Sequence, residues 1–214
     1  MSEKIFWRDP YQTQLDTRLS RVEGDQVWLE QTIFYAQSGG QESDSGTIAG
    51  RSVLLAEKQG LDIAYTLDSA AGLAAGNSVR VVIDWPRRYA LMRLHFAAEL
   101  VLELACRLRP DMEKIGAHIA AEKARIDFLH HESLAPLLPQ LEAEVARIVA
   151  AQQPIVSAFS DEKLQRRYWQ IDGLAQVPCG GTHLHHSGEV GALRLKRKNV
   201  GKGKERIEIM FAQD

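Results

Sequence analysis

The proline at position 86 separates two kinds of hydrophobic periodicity, and that change limits the fold more than any other feature. Ahead of it lie short β-rich runs set off by Gly, Asp or Asn: Gln26-Val-Trp-Leu29, Thr32-Ile-Phe-Tyr35, Ser52-Val-Leu-Leu-Ala56, Asp62-Ile-Ala-Tyr-Thr-Leu67 and Ser78-Val-Arg-Val-Val-Ile-Asp84. Close turn spacing and β-branched residues predict a small, barrel-like β domain over residues 1–85. Beyond the proline, Leu91, Leu94, Ala98, Val101, Leu102 and Ala105 fall at helical spacing between Arg87 and Arg109, and Pro110 ends the run. Gly116–Ile119 and Ala124–Phe128 read as a hairpin, Leu137–Gln152 as a second helix stopped by Pro154, and Gly191–Phe211 as another hairpin with its tip at Asn199–Lys204. The expected class is α+β, with a second domain over residues 86–214.

Bulk properties narrow the partners. Twenty-six Lys and Arg stand against 28 Asp and Glu, a formal net charge of -2, so nucleic-acid contact has to come from a local basic patch. With two cysteines, Cys106 and Cys179, no disulfide framework is expected. The first residues lack the apolar core of a signal peptide, and no run approaches the roughly 18 apolar residues of a membrane span. A cytoplasmic protein without membrane contact is expected.

The chemistry concentrates in Cys179-Gly-Gly-Thr-His183, taken together with His95. A Cys and a His separated by three residues in a glycine turn can point at one metal ion. His95, in an apolar helical run, can supply a third ligand. Three N/S ligands with an open fourth position are the mark of a catalytic zinc site. Glu99 lies four residues after His95 on the same helix face, so its carboxylate can join the same point. His185 and His186 can each stand in for His183.

Two further segments carry binding potential. Gln37–Gly46 is a glycine-bearing polar loop in which Gly39 and Gly40 let backbone approach a ligand, while Gln41 offers both donor and acceptor atoms. The run Arg194–Arg206 holds seven Lys or Arg against one Glu, a composition suited to phosphate contacts.

These signals occur in a recognisable order. Thr32-Ile-Phe-Tyr-Ala-Gln-Ser-Gly-Gly-Gln-Glu-Ser-Asp-Ser-Gly46 resembles the glycine motif of alanyl-tRNA synthetase editing domains. Asp84–His95 resembles the run into their first zinc motif, and Gly116–Phe128 the hairpin that follows. Val177-Pro-Cys-Gly-Gly-Thr-His183, Gly188–Gly191 and the basic hairpin resemble the second zinc motif and the family's end. The likeness covers nearly the whole chain and is closest to freestanding AlaX-type proteins. It implies a small β-barrel joined to a two-layer α/β editing domain with a metal cleft. It also implies a trans-editing deacylase acting on alanine tRNA mischarged with serine, and sometimes glycine. DNA and ATP are not expected ligands. The family's first zinc motif is HxxxH; here it reads His95-Phe-Ala-Ala-Glu99, a glutamate for the second histidine. Ala98 stands where many relatives carry threonine.

The expected assignment follows. Zinc is held by His95, Cys179 and His183, with Glu99 as fourth ligand or as a base beside the metal, and a zinc-bound water attacks the ester. Thr32 and Gln41 are candidates to bind the serine hydroxyl, and the backbone at Gly39 and Gly40 to contact substrate or oxyanion. Lys196, Lys198, Lys202, Lys204 and Arg206 are expected on tRNA phosphates. The competing readings are a tRNA-binding module with a decayed metal site, and a hydrolase of an unrelated small ester or amide.

Overall fold

The computed structural model describes residues 1–212. The chain forms two compact units: residues 1–38 with 42–89, and residues 39–41 with Ala90 onward. Both helix and sheet are present, with strands predominating among the described residues. No helix among these residues is long and apolar enough to cross a membrane.

In the first unit the strands are β1 (Glu3–Lys4), β2 (Gln14–Glu23), β3 (Gln26–Leu29), β4 (Gln31–Thr32), β5 (Gly46–Ile48), β6 (Arg51–Gln59), β7 (Asp62–Leu67) and β8 (Ser78–Ile83). Short β1 and β4 pair in parallel. Six others pair in a closed cycle, β2-β3-β7-β6-β5-β8. The barrel-like expectation needs correcting in its architecture. Residues 14–18 of β2 pair with β8, and residues 19–23 pair with β3 across a register shift between Leu19 and Arg21. β6 likewise passes from β5 to β7 around a shift at Val53/Leu55. The result is two four-stranded sheets sharing two long strands that turn the corners at bulges, rather than an evenly staved barrel. Leu19, Val27, Phe34, Ile48, Ile63 and Val81 fill the space between them.

Thr32–Tyr35, expected as a strand, leaves the ladder after Thr32. Ile33 and Phe34 are fully buried, yet their backbone groups bond to side chains instead of a neighbouring strand. Arg88 Nη2 donates to Ile33 O (2.6 Å), Tyr65 Oη donates to Phe34 O (3.0 Å), and Phe34 N–H donates to Thr32 Oγ1 (3.0 Å). Tyr35 N–H donates to Asp44 Oδ2 (2.7 Å), and the Asp44 carboxylate pairs with Arg88, both side chains having no exposure. Irregular backbone can be buried only with such an accounting of its polar groups.

α1 runs from Trp85 to Leu108, so Pro86 lies inside its first turn. That position has no intrahelical N–H bond to lose, which is why proline starts this helix instead of preceding it. In the second unit β9 (Glu113–Ile119) and β10 (Ala124–Leu129) form the expected hairpin, and α2 (Leu138–Ala150) follows. β11 (Val156–Asp161), β12 (Arg166–Ile171) and β13 (Ala175–Pro178) make an antiparallel three-stranded sheet outside the elements expected from the sequence. β14 (Leu193–Gly201) and β15 (Lys204–Phe211) complete a four-stranded sheet in the order β14-β15-β10-β9. The tip of the last hairpin is therefore only Lys202-Gly203, shorter than expected.

Candidate metal centre

Three donors converge in the second unit. His95 projects from α1 and is 4% exposed; His183 follows the glycine turn and is 3% exposed. Cys179 directly follows β13, and its N–H donates to Arg167 O at 2.8 Å, prolonging the β12–β13 ladder to the thiol. His95 Nε2 stands 3.1 Å from Cys179 Sγ, and the two imidazole centroids are 5.3 Å apart. One donor atom from each of the three residues lies within 4.8 Å of the others. Tetrahedral zinc with ordinary Zn–S and Zn–N bonds separates S from N by about 3.6 Å, which this spacing accommodates with small adjustment.

The outer contacts select the donor atoms. Ser157 Oγ is 3.0 Å from His183 Nδ1, which leaves His183 Nε2 buried and unpartnered toward the other donors. A ligating imidazole is normally held in this way through its second nitrogen. Gly181 provides the clearance. A Cβ there would stand 2.6 Å from His95 Nε2 and 3.2 Å from Gln41 Oε1, so only glycine lets this backbone pass the imidazole.

Electrostatics fit a metal as well. Burial lowers the pKa of His95, opposed by the charge of Glu99, and holds His183 well below the usual imidazole range, assisted by His95 and Arg167. Both rings are thus neutral, the form that ligates. Burial, then Glu99, pushes the Cys179 thiol up to about 12, so ligation has to displace its proton.

Glu99 stands outside the group of three. Its Oε2 accepts a hydrogen bond from Trp169 Nε1 (3.3 Å). His185 and His186 also lie outside it; they are exposed, and their backbone N–H groups donate to Glu189 Oε1.

Gly39–Gln41 packs on the same unit, with Ile119 N–H donating to Gly40 O (2.8 Å) and Gln41 bridged to Ile119. Gly40 has φ +87°, and a Cβ there would meet Ala117 O at 2.7 Å. Gln41 is fully buried; its Nε2 donates to Thr182 Oγ1 (3.3 Å), and its Oε1 is buried without a partner. Thr32 lies in the core of the first unit, its hydroxyl 2.7 Å from Tyr65 Oη, a bond that any substrate contact has to share or break.

On the basic hairpin Lys196, Lys198, Lys202 and Lys204 are exposed. Arg206 is not free in the same way: its Nε donates to Asp127 Oδ1 (2.5 Å). Sequence reading missed Ser157, Arg167, Trp169 and Thr182. The alternation Arg167-Tyr-Trp-Gln-Ile171 carried a strand signal, but nothing local named its partners.

Comparison with known proteins supplies the family. Residues 173–208 match the family described as threonyl and alanyl tRNA synthetase second additional domain, a span that includes Cys179, His183 and most of the basic hairpin. The alanyl-tRNA editing protein AlaX-M of Pyrococcus horikoshii is 30% identical over 218 residues, covering 98% of this chain and 97% of its own. The chain belongs to the AlaX-M family. Another member, from Methanosarcina acetivorans, is 27% identical over 240 residues, covering 97% of this chain and 98% of its own. The alanine–tRNA ligase of Ignicoccus hospitalis is 31% identical over 234 residues, which span 98% of this chain but 26% of the ligase. An AlaX-M chain thus corresponds to about a quarter of that enzyme, and His95 and Gln41 lie outside the segment matched by the shorter family description.

Proposed function

We propose that this AlaX-M protein is a trans-editing deacylase. It hydrolyses the ester of serine wrongly attached to alanine tRNA, using a zinc ion held by His95, Cys179 and His183, with the glycine ester as a second candidate substrate. The observation that carries the reading is the convergence of one thiol and two neutral imidazoles in a chain of an editing family. Bound there, zinc would supply Lewis acidity toward the ester carbonyl and make a nearby water more acidic.

The chain's own residues do the rest. Ser157 orients His183, and Gly181 clears the space beside His95. Gln41 presents Oε1 as a fixed acceptor because its amide nitrogen is spent on Thr182. An acceptor so placed rewards a substrate that donates, such as the serine hydroxyl, and is left unpaired by alanine. Backbone at Gly39 and Gly40 contacts the substrate or the oxyanion. Glu99 accepts a proton, and the four exposed lysines hold tRNA phosphates.

The test is metal content of protein purified without added zinc, combined with deacylation of Ser-tRNA(Ala), Gly-tRNA(Ala) and Ala-tRNA(Ala). Stoichiometric zinc with serine-selective hydrolysis, both lost in Cys179→Ala, supports the proposal. Tight tRNA binding without turnover marks a binding module, and small-ester turnover indifferent to tRNA marks an unrelated hydrolase. Thr32→Val narrows the Ser/Ala rate ratio if Thr32 touches substrate; an unchanged ratio removes it from the site.

A further inference from the structure

We infer that Trp169 is a positioning residue that holds Glu99 beside the three metal donors and out of their group. This rests on the proposal that a metal ion binds His95, Cys179 and His183. Glu99 lies one helical turn beyond His95 on α1, a spacing from which a carboxylate can reach the same ion. Instead Glu99 Oε2 takes the indole hydrogen of Trp169 at 3.3 Å.

The indole cannot follow the carboxylate if it moves. Trp169 has no exposure, and its ring meets Phe96 edge-on with centroids 5.0 Å apart. On β12 it lies directly opposite Ser157 of β11, the residue that fixes His183. One strand pair therefore governs two side chains of the site: it presents His183 to the metal and withholds Glu99. A buried indole N–H needs an acceptor, and Glu99 would leave that donor orphaned by swinging to the ion. The arrangement gives glutamate a role at this position: its carboxylate stays beside the donors as a proton acceptor, and an ion held by His95, Cys179 and His183 would keep a place for water.

Zinc affinity by chelator competition and Co(II) absorption spectra, on wild type, Glu99→Gln, Trp169→Phe and the double variant, test this. Glu99→Gln should leave zinc affinity within about threefold, since no ligand is lost, whereas losing a true ligand or its support costs at least about tenfold. Trp169→Phe keeps an aromatic ring in the core but removes the N–H together with the five-membered ring, a packing loss that the double variant separates from the loss of the donor. It should raise zinc affinity about tenfold or more as the carboxylate joins the donors, and intensify the Co(II) bands toward a closed four-coordinate pattern. It should also lower kcat with little change in KM. None of these changes should appear when Trp169→Phe is made in the Glu99→Gln background.

A tenfold loss in Glu99→Gln, or an unchanged affinity and spectrum in Trp169→Phe, overturns the inference. Loss of packing alone would lower affinity in both backgrounds. If Trp169→Phe does not fold, the indole N–H resonance of metal-free wild type decides. It should move upfield in Glu99→Ala, and a fixed resonance overturns the inference. That resonance is read without metal, so it stands apart from the metal proposal, which fails separately if wild type binds no zinc.

Discussion

Gly181 and His95 are packed so closely that a single methyl group does not fit between them: a Cβ on Gly181 would lie 2.6 Å from His95 Nε2 and 2.7 Å from Cε1. Gly181→Ala should push the imidazole away from Cys179. Overpacking of this kind costs about 1–3 kcal/mol of stability, read as a lower urea midpoint. Zinc affinity should fall at least about tenfold. An alanine variant with wild-type affinity would show that His95 is not a ligand.

Ser157 fixes the ring of His183 through Nδ1 at 3.0 Å. Ser157→Ala should weaken zinc about 10–100-fold, and Ser157→Thr should recover most of that loss because the hydroxyl remains. Equal affinity in alanine and threonine variants would show that the hydrogen bond plays no part in holding the metal.

The buried donors give the metal-free protein a defined pH response. His95 and His183 have lowered pKa values in the fold, so below the ordinary imidazole value of 6.5 the unfolded chain binds more protons than the folded one. Stability should therefore fall as pH drops below about 6.5, by up to about 1.4 kcal/mol per pH unit for each ring. Urea titrations of metal-free protein from about pH 7.5 to 5 check the slope, which should flatten in His183→Gln. In the opposite range, burial holds the Cys179 thiol protonated up to about 12, so zinc binding at neutral pH should release about one proton from that group. Calorimetry in buffers of different ionisation enthalpy counts it, and Cys179→Ala should remove it.

The hairpin residues should separate into two behaviours. Replacing Lys196, Lys198, Lys202 and Lys204 by Ala should flatten the dependence of log affinity for tRNA on log salt, by roughly 0.7–0.9 for each phosphate no longer neutralised. Arg206, tied to Asp127, should leave that slope unchanged when replaced by Ala, and its loss should appear as a lower melting temperature. An equal slope change for Arg206 would place it on the RNA after all.

Local signals were enough for α1, for both long hairpins and for the donor types at His95, Cys179 and His183; the likeness to editing domains joined His95 to the other two across 84 residues. Proline spacing, alternation and ligand chemistry act over a few residues and survive in the bare sequence. Three matters were decided only by tertiary packing. Thr32–Tyr35 has the composition of a strand, yet Arg88, Tyr65 and Asp44 satisfy its backbone and release it from a ladder. Gly39–Gln41 belongs to the second unit although the residues on both sides belong to the first. Glu99, matched to His95 by helical spacing, is turned to Trp169, which lies 70 residues further along the chain. A helix face brings a carboxylate near an ion; which buried donor claims it depends on the strand packed against that face, and no periodicity in the sequence records that choice.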